Sequence, residues 1–326
     1  MSDTKKDPIS ETEIRNQIQQ VIDNTNQLLL DNIEWKKRYD GYLAKINDPL
    51  NKNQQYRELF NVPEPFVAYT NISTVSNGNS KYDLRFKGQS VATISVDKDN
   101  IVRINSKYEK NMKYLGIDIK LKNADWQLQE AKSFRKAFKD LPSNIKTKSP
   151  EHALESLLLC LLSDSVRNIQ PVKLNGQFFQ MPTPLKASCP DKSYSGANGG
   201  GIDILARMRI KGVAANKNSR LVIFEVKDEN KKSEPVDKVI LQATAYATFV
   251  ANLLKQNPGW AELFGFSKEN CIKEIFVATF LPKGETTASF EKMEFDVCDD
   301  MKLIMHTLYT DEDNRLTGSL INVKLQ

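Results

Sequence analysis

The 326-residue chain is 40% hydrophobic and 27% charged, an ordinary balance for a soluble globular protein, which argues against an extended disordered chain. Its 46 Lys and Arg against 41 Asp and Glu leave a net charge of +5, mild enough to suit a polyanionic partner without demanding one. Two histidines (His152 and His306) and four scattered cysteines, with no C-x-x-C pair and no G-x-S-x-G elbow, count against a zinc framework, a disulfide scaffold and histidine-based hydrolysis.

The opening MSDTKKDPISETE has no apolar h-region. The longest strongly apolar run, 157–162, falls far short of the about 20 residues that a bilayer span needs. A cytoplasmic protein with reduced thiols is the expectation. Residues 10–46 predict a helix, opened by a Ser10/Glu13 capping box and carrying Ile14, Ile18, Val21, Ile22, Leu28 and Leu29 at helical spacing. Residues 64–122 change to alternating runs separated by turn signals at Asn77-Gly78, Gly88 and 97–100, the pattern of a small antiparallel β region. Within it, lysines and aromatics mix over 107–114, as in an exposed strand or turn, although such aromatics can also stack on bases. Residues 125–140 predict a helix with Leu128, Ala131, Phe134 and Phe138 on its core face. Its other face carries Lys132, Arg135, Lys136 and Lys139, a basic stripe that is either a solvated surface or a track for phosphates. The segment around Leu141-Pro142 marks a boundary, so an accessory region at 1–140 is expected to precede a domain at 141–326.

From Ser149-Pro150, an N-cap and N1 pair, a helix is expected to about residue 163. Strands follow near 172–181, 202–210 and 220–227, then a long helix at 235–254 and a strand at 272–280. The tail predicts a strand near 290–297, a helix to about Tyr309 and a last strand near 319–325. This order is an α/β layout.

Two of these strands carry acids. Over 202–210, Ile202, Ile204, Ala206, Met208 and Ile210 alternate with Asp203, Leu205, Arg207 and Arg209. Over 221–227, Glu225 and Lys227 share one face while Phe224 and Val226 take the other. A hairpin joining the strands brings Asp203, at the start of one, to Glu225, near the end of the other. Two carboxylates placed together resist joint ionisation unless a cation sits between them. Mg²⁺ meets that need, taking one or two carboxylates together with water and phosphate oxygens. A Glu-x-Lys pair on a strand is also common as a plain surface salt bridge. Three features favour chemistry here: the apolar strand that ends in the pair, the glycine-rich loop 195–201 just before Asp203, and Gln242 and Tyr246 at i and i+4 on the long helix.

Together, Gly-Ile-Asp203, Glu225-Val-Lys227 and Gln242-x-x-x-Tyr246 resemble the PD-(D/E)XK nuclease superfamily, in particular its Q-x-x-x-Y branch. The resemblance covers about 130 residues and implies an αβββαβ core, a central mixed sheet flanked by helices, preceded by an N-terminal helical and antiparallel β accessory region. It also implies a metal-dependent nuclease, with Mg²⁺ or its substitute Mn²⁺ held by Asp203, Glu225 and the carbonyl of Val226, and with Lys227 catalytic. Gln242 and Tyr246 would orient the site or the substrate strand. A further acid from the first helix is implied, Glu155 or Glu151. Glu155 is favoured because it sits in an apolar run, where an unpaired charge is costly. Gly-Ile stands where the superfamily's Pro-Asp would precede Asp203. The implied partner is nucleic acid, DNA before RNA, contacted through Arg207, Arg209, Lys132, Arg135, Lys136 and Lys139. No membrane is expected, and there is room for a homo-oligomer and for an activating ligand or partner acting through the N-terminal region. The competing readings are a catalytically silent binding module of the same fold and an activator-dependent effector or restriction-type endonuclease.

Overall fold

A computed structural model of the protein describes residues 10–48, 62–70, 72, 81–97, 99–106, 109–164, 168–174, 176–196, 199–210, 219–228, 236–266, 272–282, 293–310 and 316–318. The fold is mixed α/β, and none of its described helices is long and apolar enough to cross a membrane. The described chain forms two compact units that interleave in sequence. One holds residues up to Lys36, Asn168–Gln170 and those from Pro182 onward; the other holds Lys37–Arg167 and Pro171–Met181. The sequence reading places a boundary at residue 140 instead, and so assigns the first helix to an accessory region.

In chain order the first elements are α1 (Glu11–Asp31), α2 (Glu34–Asn47), β1 (Phe66–Thr70), β2 (Lys81–Phe86), β3 (Gln89–Val96), β4 (Val102–Ser106), α3 (Glu109–Tyr114), β5 (Ala124–Asp125), α4 (Gln129–Lys139) and α5 (Pro150–Asp164). The Ser10 side chain caps α1 by accepting from the Glu13 amide at 3.2 Å, as the capping pattern predicts. The single helix expected over 10–46 breaks at Asn32-Ile33. There the Asn32 backbone leaves helical geometry, and its side-chain amide donates back to the Leu28 carbonyl at 2.8 Å.

In the second unit, β1 to β5 build the expected antiparallel meander, which β7 (Phe178–Phe179) joins by pairing parallel with β1; the Asn77-Gly78 turn lies outside the described residues. Alternation along these strands sends Tyr82, Leu84 and Phe86, then Val91, Ile94 and Val96, into a core closed by Phe134 and Phe138 of α4. Leu128, expected on that face, is instead 62% exposed at the N-cap position, and Trp126 is buried in the same core. Residues 109–114 form α3, not the strand or turn expected; Lys107 and Tyr108 lie outside the described residues. The β2–β3 turn needs a glycine. Gly88 has φ +74°, and a Cβ there would lie 1.8 Å from the His152 carbonyl oxygen at the start of α5.

The first unit is built on a second sheet. The helix expected from Ser149-Pro150 forms as α5, but the strand expected at 172–181 does not. Its place is taken by β6 (Ile169–Pro171), β7 and β8 (Met181–Pro182), with β7 committed to the other sheet. Then come β9 (Gly201–Ile202), β10 (Ile204–Arg209), β11 (Ser219–Val226), α6 (Val236–Gln256), α7 (Gly259–Leu263), β12 (Glu274–Pro282), β13 (Glu294–Cys298), β14 (Met301–Thr310) and β15 (Leu316–Gly318). The sheet order is β13-β14-β12-β11-β10-β6, with β15 on β14. The β10–β11 hairpin is antiparallel, while β11, β12 and β14 run parallel, with α6 as the crossover between β11 and β12. Central parallel strands are covered on both faces and so read as continuous apolar runs. Leu221–Phe224 and Ile275–Ala278 are such runs. Helix α6 packs on β11 and β12, and α1 packs on α6, where Asn252 donates to Asn26 at 2.7 Å; Trp35, at the start of α2, meets Phe249 of α6 edge to face. That packing is why α1 belongs to this unit.

The helix expected to end near Tyr309 is the ten-residue strand β14. Its middle, Met305–Leu308, is a continuous buried run, and a buried strand of that kind cannot be told from a buried helix by periodicity. The last predicted strand, 319–325, lies outside the described residues.

Candidate active site

Register sets the site. The β10–β11 pairing ends with Ile204 opposite Phe224, and the next residue back, Asp203, stands at a bend beside Glu225. The Asp203 carboxylate accepts a hydrogen bond from the Val226 amide at 2.8 Å. The acid is thus tied to the peptide that lies between the other two signature residues. Glu225 and Lys227 close the carboxyl end of β11, with exposures of only 2% and 5%. The Lys227 ammonium donates to Glu225 Oε1 at 3.1 Å, and the Lys227 amide holds the Phe280 carbonyl of β12 at 3.0 Å. The bland reading of Glu225-Val-Lys227 as a solvated surface pair fails, because both side chains are buried. Their position fits the rule that ligands of α/β sheets gather at the carboxyl ends of parallel strands.

Tyr246, 1% exposed on α6, joins the same group. Its hydroxyl accepts from the Gln242 amide at 3.3 Å. Burial first, and the Glu225 and Asp203 carboxylates in addition, push the phenol well above its usual acidity range, with Gln242 and Lys227 opposing. The hydroxyl therefore keeps its proton at all physiological pH. The glycine-rich loop reaches this hydroxyl: a Cβ on Gly200 would sit 2.1 Å from the Tyr246 oxygen and 3.3 Å from the Ala187 Cα. Gly200 is locked by its amide to the Leu185 carbonyl at 2.5 Å, and its own carbonyl accepts from the Thr183 amide at 2.8 Å. Sequence reasoning marked the loop as permissive, but the specific tyrosine it admits is a tertiary fact.

No family model, curated protein or solved structure matches the chain. The donor set itself is informative. Asp203, Glu225 and the Val226 carbonyl offer only hard oxygens, the ligand class of Mg²⁺. Among the described residues no three His, Cys, Asp or Glu side chains gather as a metal cluster. Two carboxylates and a carbonyl would thus be the protein's share, and Mg²⁺ ordinarily takes its remaining positions from water and substrate.

Glu155 falls in the other unit, on α5, with different company. It is 2% exposed, its Oε2 lies 3.3 Å from His152 Nδ1, and its charge acts on Tyr69 and Arg85. Glu151 lies in the first turn of the same helix. Of the expected nucleic-acid contacts, Arg207 is committed locally: its guanidinium donates to the Gly265 carbonyl at 3.0 Å, just past α7. Burial, and then Arg209, lower its pKa. Arg209 is exposed. Within the stripe on α4, Arg135 is half-buried, stacked 4.1 Å over Trp126 and bonded to the Trp126 carbonyl at 2.7 Å. Lys132, Lys136 and Lys139 face solvent. The stripe therefore divides into one packing arginine and three exposed lysines. His306 is buried on β14, and burial holds its imidazole down to about 4, so it is neutral at pH 7.

Proposed function

We propose that the unit built on β10, β11 and α6 is a Mg²⁺-dependent nuclease that hydrolyses phosphodiester bonds in DNA. The observation that carries this reading is the bond from the Val226 amide to the Asp203 carboxylate, which fixes one acid beside the buried Glu225–Lys227 pair at a strand end. The sheet strands β6, β10, β11 and β12, with α6 between the last two, support it, since they match the βββαβ part of the succession that the PD-(D/E)XK resemblance implies; α5, the helix before them, belongs to the other unit. Asp203, Glu225 and the Val226 carbonyl would hold the ion, which when bound supplies a water of lowered pKa and positive charge against the phosphate.

The chain's own groups do the rest. Asp203 is oriented before substrate arrives, so that little reorganisation remains at the moment of reaction. The Lys227 ammonium, held by Glu225, stabilises negative charge developing on the phosphoryl oxygens. The Tyr246 hydroxyl, proton retained, serves as a donor beside the carboxylates, and Gln242 holds it in place.

The test is cleavage of supercoiled plasmid, linear duplex and a labelled RNA by wild type and Lys227→Ala, each with Mg²⁺, Mn²⁺ or EDTA. Metal-dependent cutting of DNA that disappears in the variant supports the reading. Equal cutting by both proteins would overturn it, and cutting of RNA alone would move the substrate.

A further inference from the structure

The substrate proposed for the candidate site is a polyanion that extends well past the bond being cut. Cationic groups on the protein must therefore flank the site, because phosphate contacts supply most of the affinity for nucleic acid. The sequence candidates on this unit do not meet that need. Arg207 donates to the Gly265 carbonyl beside α7. Arg209 lies six residues along β10 from Asp203, about 20 Å at the rise of a strand.

The chain passing Tyr246 offers better groups. Residues 183–196 form a tight hairpin. Leu185 pairs with Tyr194, the Lys186 amide bonds to the Ser193 carbonyl at 2.9 Å, and the Ser195 amide bonds to the Pro184 carbonyl at 2.7 Å. Its tip is closed by the Cys189, Lys192 and Ser193 amides, bonded to the carbonyls of Lys186 or Cys189 at 3.0–3.1 Å. Gly200 lies against both the hairpin, at Ala187, and the Tyr246 hydroxyl. Lys186 is thus the neighbour of a residue packed one layer from the site. Lys186 and Lys192 are both exposed, and neither ammonium has a side-chain partner among the described residues. The hairpin's one acid, Asp191, is half-buried and engaged by the Asn24 amide at 3.4 Å.

We propose that this hairpin is a phosphate-contacting arm of the site, with Lys186 and Lys192 binding the backbone of the nucleic-acid strand being cut. The proposal rests on the nuclease reading of the same site. A preorganised arm loses little freedom on binding, so its two charges act without a large ordering penalty.

The experiment is steady-state cleavage of a fluorescein-labelled 30-base-pair DNA duplex with Mg²⁺, repeated from 50 to 200 mM KCl, for wild type, Lys186→Ala/Lys192→Ala, Lys186→Arg/Lys192→Arg and Lys302→Ala. The double alanine variant should raise KM about five- to tenfold at low salt and flatten the slope of log KM against log salt by about 2, one for each lysine that no longer meets a phosphate. The double arginine variant should restore both. Lys302→Ala, a lysine on β14 next to Glu294, should match wild type. A salt slope identical in wild type and the double alanine variant, with wild type cutting normally, overturns the arm alone. A wild type that cuts neither this duplex nor a labelled RNA with Mg²⁺ or Mn²⁺ overturns the nuclease reading and the arm with it.

Discussion

Each unit buries a small group of charges against its own sheet, and the two groups are built differently. In the six-stranded unit, Arg85 sits at a register shift in β2. It bonds Asp83 at 2.8 Å and lies 4.0 Å over the Tyr69 ring. Burial alone would lower the Arg85 pKa, but Tyr69, Asp83 and Glu155 raise it above its ordinary value. Glu155 takes His152 as its neighbour and keeps one oxygen, Oε1, without a hydrogen-bond partner among the described residues. This group is spread across a strand interior and a helix, with Arg85 beside Asp83 and His152 beside Glu155. In the other unit, Asp203, Glu225 and Lys227 stand at a strand end, two acids to one cation, beside a loop that glycine lets approach. Burial of charge is common to both groups. Position at the end of parallel strands marks out the second as the candidate for metal chemistry.

The strongest way to test that contrast is Lys227→Ala. Loss of the ammonium should lower cleavage by about 10²–10³. The burial of the pair means that such a variant also strains the fold. Glu225 would be left buried without its ion pair, at a cost of about 3–5 kcal/mol in EDTA, read from denaturant unfolding. Glu225→Gln/Lys227→Met removes both charges and should recover most of that stability while remaining inactive. A double variant as unstable as the single would show that the pair is not what the lysine supports.

Gly200→Ala comes next. Its Cβ would collide with the Tyr246 hydroxyl, so overpacking should cost about 1–3 kcal/mol. Tyr246→Phe removes that oxygen, and the alanine should then cost less in the phenylalanine background. Strict additivity in the double-mutant cycle would deny the contact.

Glu155→Gln separates the two groups directly. As a member of the six-stranded unit's network, Glu155 should cost about 1–2 kcal/mol of stability when neutralised. Mg²⁺ affinity by calorimetry should stay within about twofold of wild type. Asp203→Asn should instead weaken Mg²⁺ binding about tenfold or more. An equal loss in both variants would return Glu155 to the ligand set that the family resemblance implies.

The smallest effects concern α4. Arg135→Ala should lower stability by about 1 kcal/mol as its stacking on Trp126 disappears. Each of Lys132→Ala, Lys136→Ala and Lys139→Ala should stay within about 0.5 kcal/mol of wild type. Comparable losses at all four positions would contradict the division of the stripe.

The sequence by itself determined the elements whose signals are local. Alternation placed the β2–β3 meander and the acidic hairpin, the Ser10 cap started α1, and the spacing of Glu225 and Lys227 fixed their common strand face. It could not separate strand from helix over 301–310, because a continuous buried run loses its period. Nor could it assign α1 to the later sheet, since the face of a helix says that it packs but not on what. Only the tertiary structure decided that Val226 holds Asp203, that Tyr246 meets Gly200, and that Glu155 keeps company with Arg85. Each of these depends on contacts between residues far apart in the chain, which side-chain periodicity does not encode.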